Sequence, residues 1–190
     1  MTVRDAGLSG TELDLLHQYR LLTAKDRLVV ANISEADVGA REAEWISKLA
    51  EAVSEPEWKV VAIAASLEAE LATLSETEHD EFLEGWGIAE RGLSKLVRAG
   101  YALLGLVTFF TIKGTETRAW TVAEGTPIAE AAGKIHSDME KGFIRAKIVA
   151  ADDLIEHRTM PELQQQGLVK TVGKEHLVED GEVIEFLFSG

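Results

Sequence analysis

Apolar and polar positions along this chain follow two different periods, and the change between them divides it. Over the first hundred residues the helical period dominates. Between about residues 11 and 22, Leu13, Leu15, Leu16, Tyr19 and Leu22 recur at helical spacing behind Thr11, which predicts a helix capped by that threonine. Residues 25–31 predict a strand, whose Leu28-Val29-Val30 run is too continuous for a half-exposed edge. A second amphipathic helix is predicted from about 40 to 53, with Ile46, Leu49, Ala50 and Val53 on one face and Pro56 beyond its end. Residues 59–64 form another β-rich apolar run. The β–α–β order, with strands covered on both faces, predicts a parallel sheet. Two or three helices follow: Ser75-Glu76-Thr77-Glu78 has capping-box spacing, and residues 90–104 direct Leu93, Leu96, Val97 and Leu103 towards a core.

From Gly105 onwards the pattern shortens to strands. Residues 106–112 and 116–122 flank Lys113-Gly114-Thr115, a hairpin-like connection. Pro127 opens a helix running to about 137. Gly142 releases a strand over 143–149, and the turn Glu179-Asp180-Gly181 introduces a last one over 183–188. Hairpin, helix, strand and late strand together predict a β-grasp. The predicted class is therefore α/β over residues 1–103, followed by α+β over 104–190.

Charge narrows the choice of partners. The chain carries 19 basic and 33 acidic residues, a net of −14. Residues 1–103 hold 10 basic and 19 acidic residues (−9), and the remainder 9 and 14 (−5). Neither part offers the broad positive field of a duplex-DNA binder, although a local patch could still contact RNA. No apolar run approaches the ~20 residues that span a bilayer, so no membrane partner is expected. There are no cysteines, which removes disulfides and thiolate metal sites and fits a cytoplasmic setting.

The chemistry-bearing motif is Asn32-Ile33-Ser34-Glu35, on the loop that leaves the first predicted strand. In P-loop GTPases an Asn at a strand end orders the nucleotide loops, and an acid three residues on accepts hydrogen bonds from the base edge. Asn32 and Glu35 have that spacing at the carboxyl end of a strand, where α/β sheets bind ligands. Ala64-Ala65-Ser66 ends the second strand, where backbone amides could reach the same base. Taken alone, Asn-x-x-Glu reads more readily as a loop whose Ser34 or Asp37 caps the next helix.

The wider context changes that reading. Leu21-Leu22-Thr23-Ala24-Lys25, Asn32-x-x-Glu35, Glu68-Ala69-Glu70-Leu71, Arg98-Ala99-Gly100-Tyr101 and Thr117-Arg118-Ala119-Trp120-Thr121 occur in order. Ala131-Ala132-Gly133-Lys134-Ile135-His136, Lys141-Gly142-Phe143-Ile144-Arg145-Ala146 and Asp180-Gly181-Glu182-Val183-Ile184 follow. Over roughly residues 11–190 this resembles the C-terminal portion of the YchF family of Obg-like ATPases. The resemblance implies that residues 1–103 are a partial nucleotide-binding (G-type) domain with a partial P-loop-type parallel sheet. It implies that residues 104–190 are a ubiquitin-like β-grasp TGS domain.

The resemblance further implies ATP or GTP with Mg²⁺ as cofactor of the intact family, and the ribosome or RNA as partner. Asn32, Glu35, Ala65 and Ser66 take the base-binding positions. No Gly-x-x-x-x-Gly-Lys-Ser/Thr occurs in the 190 residues. Without the amide nest, the lysine and the Mg²⁺-binding hydroxyl of that loop, tight nucleotide binding and hydrolysis are not expected of this polypeptide alone. The chain reads as the part that selects a nucleotide without the part that cleaves it, and an N-terminal half becomes a candidate partner. The alternatives are a stand-alone RNA- or ribosome-binding TGS module without catalysis, and a truncated relic.

Strand alternation suggests a second surface. It puts Phe143, Arg145 and Lys147 on one face of their strand, and Arg118 with Trp120 on one face of theirs, a combination on which single-stranded RNA could stack. The competing reading, and the favoured one, places Trp120 and Phe143 in a core or a domain interface. His136, Asp138, His157 and His176 lack the spacing of a metal site, and a hydrogen-bonded structural role for His136 is favoured. No catalytic nucleophile stands out.

Overall fold

Two compact units make up the chain, Met1–Leu103 and Leu104–Gly190. The computed structural model describes residues 3, 6–114, 116–157 and 159–189, so Thr115 of the expected hairpin turn lies outside the described residues.

In the first unit, strands β1 (Val29–Asn32) and β2 (Val60–Ile63) run parallel, in register from Val29 opposite Val60 to Asn32 opposite Ile63. Helix α1 (Gly10–His17) precedes them and α2 (Glu42–Val53) connects them. The start of α1 corrects the expected cap. Ser9, not Thr11, is the cap, because Glu12 three residues on accepts from the Ser9 amide at 2.8 Å and completes a capping box upstream of the threonine. The helix ends at His17, and none of its residues is buried.

Strand β2 is buried at Val60, Val61 and Ala62, as its continuous apolar run predicts. The expectation for β1 fails: Val30 is 48% exposed. Among the described residues β1 has β2 as its one strand neighbour, so its other edge and part of a face stay open.

Helix α3 (Ala65–Leu71) begins directly after β2 and buries Leu67 and Leu71 against Phe82, Leu83 and Ile88. Helix α4 (Glu76–Trp86) opens with the expected capping box: the Ser75 amide and hydroxyl donate to Glu78 at 2.8 and 2.6 Å. Helix α5 (Gly92–Leu104) covers Leu96 and Leu103 of its expected inner set but turns Leu93 and Val97 outward. Gly92, Leu96, Ala99 and Leu103 are partly covered, whereas Leu93 and Val97 are 50% and 53% exposed. Gly92 favours this rotation: a Cβ there would sit 3.0 Å from the Ile63 side chain, closer than a side-chain contact normally comes, so glycine lets the helix approach β2 without displacing it.

The second unit is a five-stranded mixed sheet. Strands β3 (Leu106–Lys113) and β4 (Glu116–Ala123) form an antiparallel hairpin. Strand β5 (Phe143–Ala150), the short β6 (Lys170–Val172) and β7 (Glu182–Phe188) complete the order β4-β3-β7-β5-β6, with β3 and β7 parallel. Helix α6 (Ile128–Ile135) lies on one face, and Ile128 and Ala131 join Phe109, Val122, Ala146, Ile148 and Ile184 in the main core. A short helix α7 (Ser137–Lys141) follows. Helices α8 (Ala151–His157) and α9 (Met160–Gln165) bury Leu163 in a second cluster with Val149, Val183 and Phe110.

Candidate functional site

The parallel pair β1–β2 brings its two carboxyl ends side by side. The Ile33 amide donates to the Ile63 carbonyl at 2.9 Å, carrying the pairing one residue past β1. At that end the Asn32 side-chain oxygen accepts from the Ala65 amide at 3.1 Å. Ala65 is the first residue of α3, whose leading N–H groups have no partner inside the helix. Asn32 therefore satisfies one of them and joins the two loops with a single bond. Ser66 follows on the same exposed turn, and Glu35 is half-buried at the start of the 3₁₀ turn Glu35–Asp37. Ser34 Oγ donates to Asp37 at 2.8 Å within that turn. The four residues expected to read a base thus lie on the two neighbouring loops.

Beside Asn32 an open groove runs along the exposed side of β1, lined by Val30, Ile33, Trp45 and Leu49. The indole Nε1 of Trp45 is buried there without a hydrogen-bond partner. The Arg41 and Lys48 cations lie 5.5 and 5.4 Å from the Trp45 ring centre. Glu44 holds both cations, and the bonds from Arg41, then Lys48, pull its carboxyl down to about 2. Sequence reading missed Trp45; its position on the inner stripe of α2 was the available signal.

The family described as "YchF-GTPase_C: Protein of unknown function (DUF933)" matches residues 106–189. "Ribosome-binding ATPase YchF" of Bacillus subtilis is 44% identical over 187 residues, and that of Haemophilus influenzae 38%. Each alignment covers 98% of this chain and 51% of the relative. The chain belongs to the YchF family. It corresponds to a C-terminal portion and spans about half the length of the curated relatives it matches. "Obg-like ATPase 1" of Xenopus laevis is 38% identical over 180 residues, with 94% of this chain and 45% of the relative covered. Among solved structures, the Schizosaccharomyces pombe YchF GTPase superposes with a TM-score of 0.74 at 27% identity, covering 98% of this chain and 50% of that one. A GTP-binding protein of Pyrococcus horikoshii, at TM-score 0.56 and 16% identity, shares the fold.

In this YchF-family chain the second expected surface does not assemble. Trp120 is half-buried against the core, and its Nε1 donates to Thr111 at 3.0 Å. Phe143 also packs on that core, edge-on to Phe186 at 6.4 Å. Strict alternation put Phe143 with Arg145 and Lys147, but a register shift between Phe143 and Arg145 inserts an extra residue. It puts Phe143 on the face of Ala146 and Ile148 and sends Arg145 and Lys147 to the opposite one. Lys147 pairs there with Glu185 at 3.1 Å. Arg118 stays exposed on β4 and pairs with Glu116 at 2.8 Å.

His136 caps α7, its Nδ1 accepting from the Asp138 amide at 3.2 Å. No group of three or more metal-ligating side chains occurs among the described residues. One polar contact was not foreseen: the buried Glu182 carboxylate meets His176 Nε2 at 2.9 Å and accepts from the Glu179 amide at 3.2 Å. No described helix is long and apolar enough to cross a membrane.

Proposed function

We propose that this chain is the base-selecting and ribosome- or RNA-docking portion of a YchF-type nucleotide-binding protein. The observation that carries the reading is the bond from the Ala65 amide to the Asn32 side chain, which joins the two loops at the carboxyl ends of a parallel strand pair. The Asn32 side-chain amide, the Glu35 carboxylate and Ser66 offer donors and acceptors to a base edge, where ATP and GTP differ in hydrogen-bond pattern, while the Ala65 amide is spent on Asn32 and fixes the spacing of the two loops. Beside that end, the open groove lined by Val30, Ile33, Trp45 and Leu49 offers an apolar wall against which a flat ring can lie. The fit extends to the base alone, since no phosphate-cradling Gly-x-x-x-x-Gly-Lys-Ser/Thr is present in the sequence. This polypeptide by itself binds ATP or GTP weakly and does not hydrolyse either; Mg²⁺ and the phosphates would be held by an N-terminal half.

The second unit is read as a TGS domain of ubiquitin-like β-grasp form, supported by the sheet order β4-β3-β7-β5-β6 around α6. Relatives are named ribosome-binding ATPases, which supports a ribosomal or RNA partner in the cytoplasm. Arg145 and Lys147 on one face, and Arg118 on β4, are the contact candidates that remain exposed or partly exposed; Trp120 and Phe143 serve the core first. The second reading, a TGS module acting without a catalytic cycle, is favoured by the self-contained core of the second unit.

Calorimetry with ATP and GTP in the presence of Mg²⁺ separates the two. The chain is titrated alone and mixed with the N-terminal half of a YchF relative. Binding in the mixture alone, lost on Asn32→Ala, supports a base-reading portion of a divided site. Absence of binding in both favours the module, and phosphate release from the pure chain would overturn the expectation of inactivity.

A further inference from the structure

Helix α5 lies across the start of both helices that leave the candidate loops. Lys95 Nζ donates to Glu42, the first residue of α2, at 2.6 Å. One turn earlier the Arg91 guanidinium, adjoining the α5 N-terminus, meets Glu68 in the first turn of α3 at 3.3 Å. All four side chains are largely covered, between 17% and 28% exposed, so salt screens these pairs less than the surface pairs of α2. The Arg91 Nε is itself buried, which keeps this guanidinium out of bulk solvent. Gly92 lets the turn between the pairs press on Ile63 and Glu68, where a Cβ would be 3.0 and 3.1 Å away.

α2 follows the loop that carries Asn32 and Glu35, and that loop contains a positive-φ turn at Gly39. α3 begins with Ala65 and Ser66. We propose that Arg91 and Lys95 are positioning residues, a two-point clasp that fixes the separation of the Asn32–Glu35 loop from the Ala65–Ser66 turn. Neither residue touches the base; the clasp sets which base edge fits. This inference rests on the base-reading proposal above for its function, and on the ion pairs alone for its geometry.

Native-state amide exchange by NMR on the complete chain tests the geometry. In a Lys95→Met, Arg91→Met double variant the Ala65 amide should exchange at least about tenfold faster, while Val61 and Leu71, in the core beneath, keep their rates. Arg91→Lys should retain most of the protection. An Arg91→Glu, Glu68→Arg exchange should restore it where the double variant is too unstable to study. An unchanged Ala65 rate, or a rise shared equally by Val61 and Leu71, overturns the clasp. Adenosine and guanosine titrations supply the functional arm: the ratio of their effects at the Asn32 and Ala65 amides should shift in the double variant. Absence of any nucleoside effect in the unsubstituted chain would count against base reading, while the exchange result would still decide the clasp.

Discussion

Gly142 shows how tightly single positions constrain the second unit. A Cβ built there would lie 2.1 Å from the Ser189 carbonyl oxygen, and the Ser189 amide already donates to the Gly142 carbonyl at 2.9 Å. Two backbones therefore meet where no side chain fits. Gly142→Ala should destabilise the chain by about 1–3 kcal/mol, read as a lower urea midpoint, because overpacked sites must shift. Glu44 gives a pH-dependent counterpart. Hydrogen bonds from Arg41 and then Lys48 hold its carboxyl at about 2 against an ordinary 4.5. A depressed carboxylate contributes stability that is complete above 4.5 and lost as the pH falls towards 2. Carbon-detected titration of Glu44 should show the low midpoint moving upward with salt, since these contacts are exposed. Sequence made Asn32 and Glu35 visible through their spacing. It could not make the Phe143 inversion visible, because one inserted residue reverses a period of two without changing composition.

At the scale of elements, long amphipathic segments were legible and short polar ones were not. The spans of α2, β3, β4, α6, β5 and β7 follow from their apolar spacing, whereas α8, α9 and three-residue β6 have too few periods to register. Helix α5 was legible in extent and only partly in rotation: Leu96 and Leu103 are covered as expected, whereas Gly92 and the ion pairs turn Leu93 and Val97 outward. The observed rotation makes a test. Leu93→Ala and Val97→Ala, on the exposed stripe, should change stability by no more than about 0.5 kcal/mol. Leu71→Ala, which empties a fully buried position in α3, should cost about 2–5 kcal/mol by denaturant unfolding. Equal costs at Leu93 and Leu71 would show that the stripe of α5 is packed in solution.

Across the whole chain the two units are unequally built. Of the five largest fully buried side chains described, Phe109, Ile128, Leu163 and Ile184 belong to the second unit and Leu71 alone to the first. Both units expose apolar side chains, Val30, Trp58 and Val97 in the first and Ile144, Ile155 and Leu177 in the second, but the first also leaves β1 with an open edge. An unpaired strand edge beside apolar surface is a template for another strand. Less burial also means less stabilisation, at roughly 25 cal/mol for each Å² removed from water. The first unit should therefore open at lower free energy than the second, or associate through β1 as concentration rises. Hydrogen exchange resolves the first outcome: amides of Val30 and Ala62 should exchange faster than those of Phe109 and Ile184. Sedimentation over a range of concentrations resolves the second. Should the chain remain monomeric while both sheets show the same protection, the open edge of β1 carries no energetic cost.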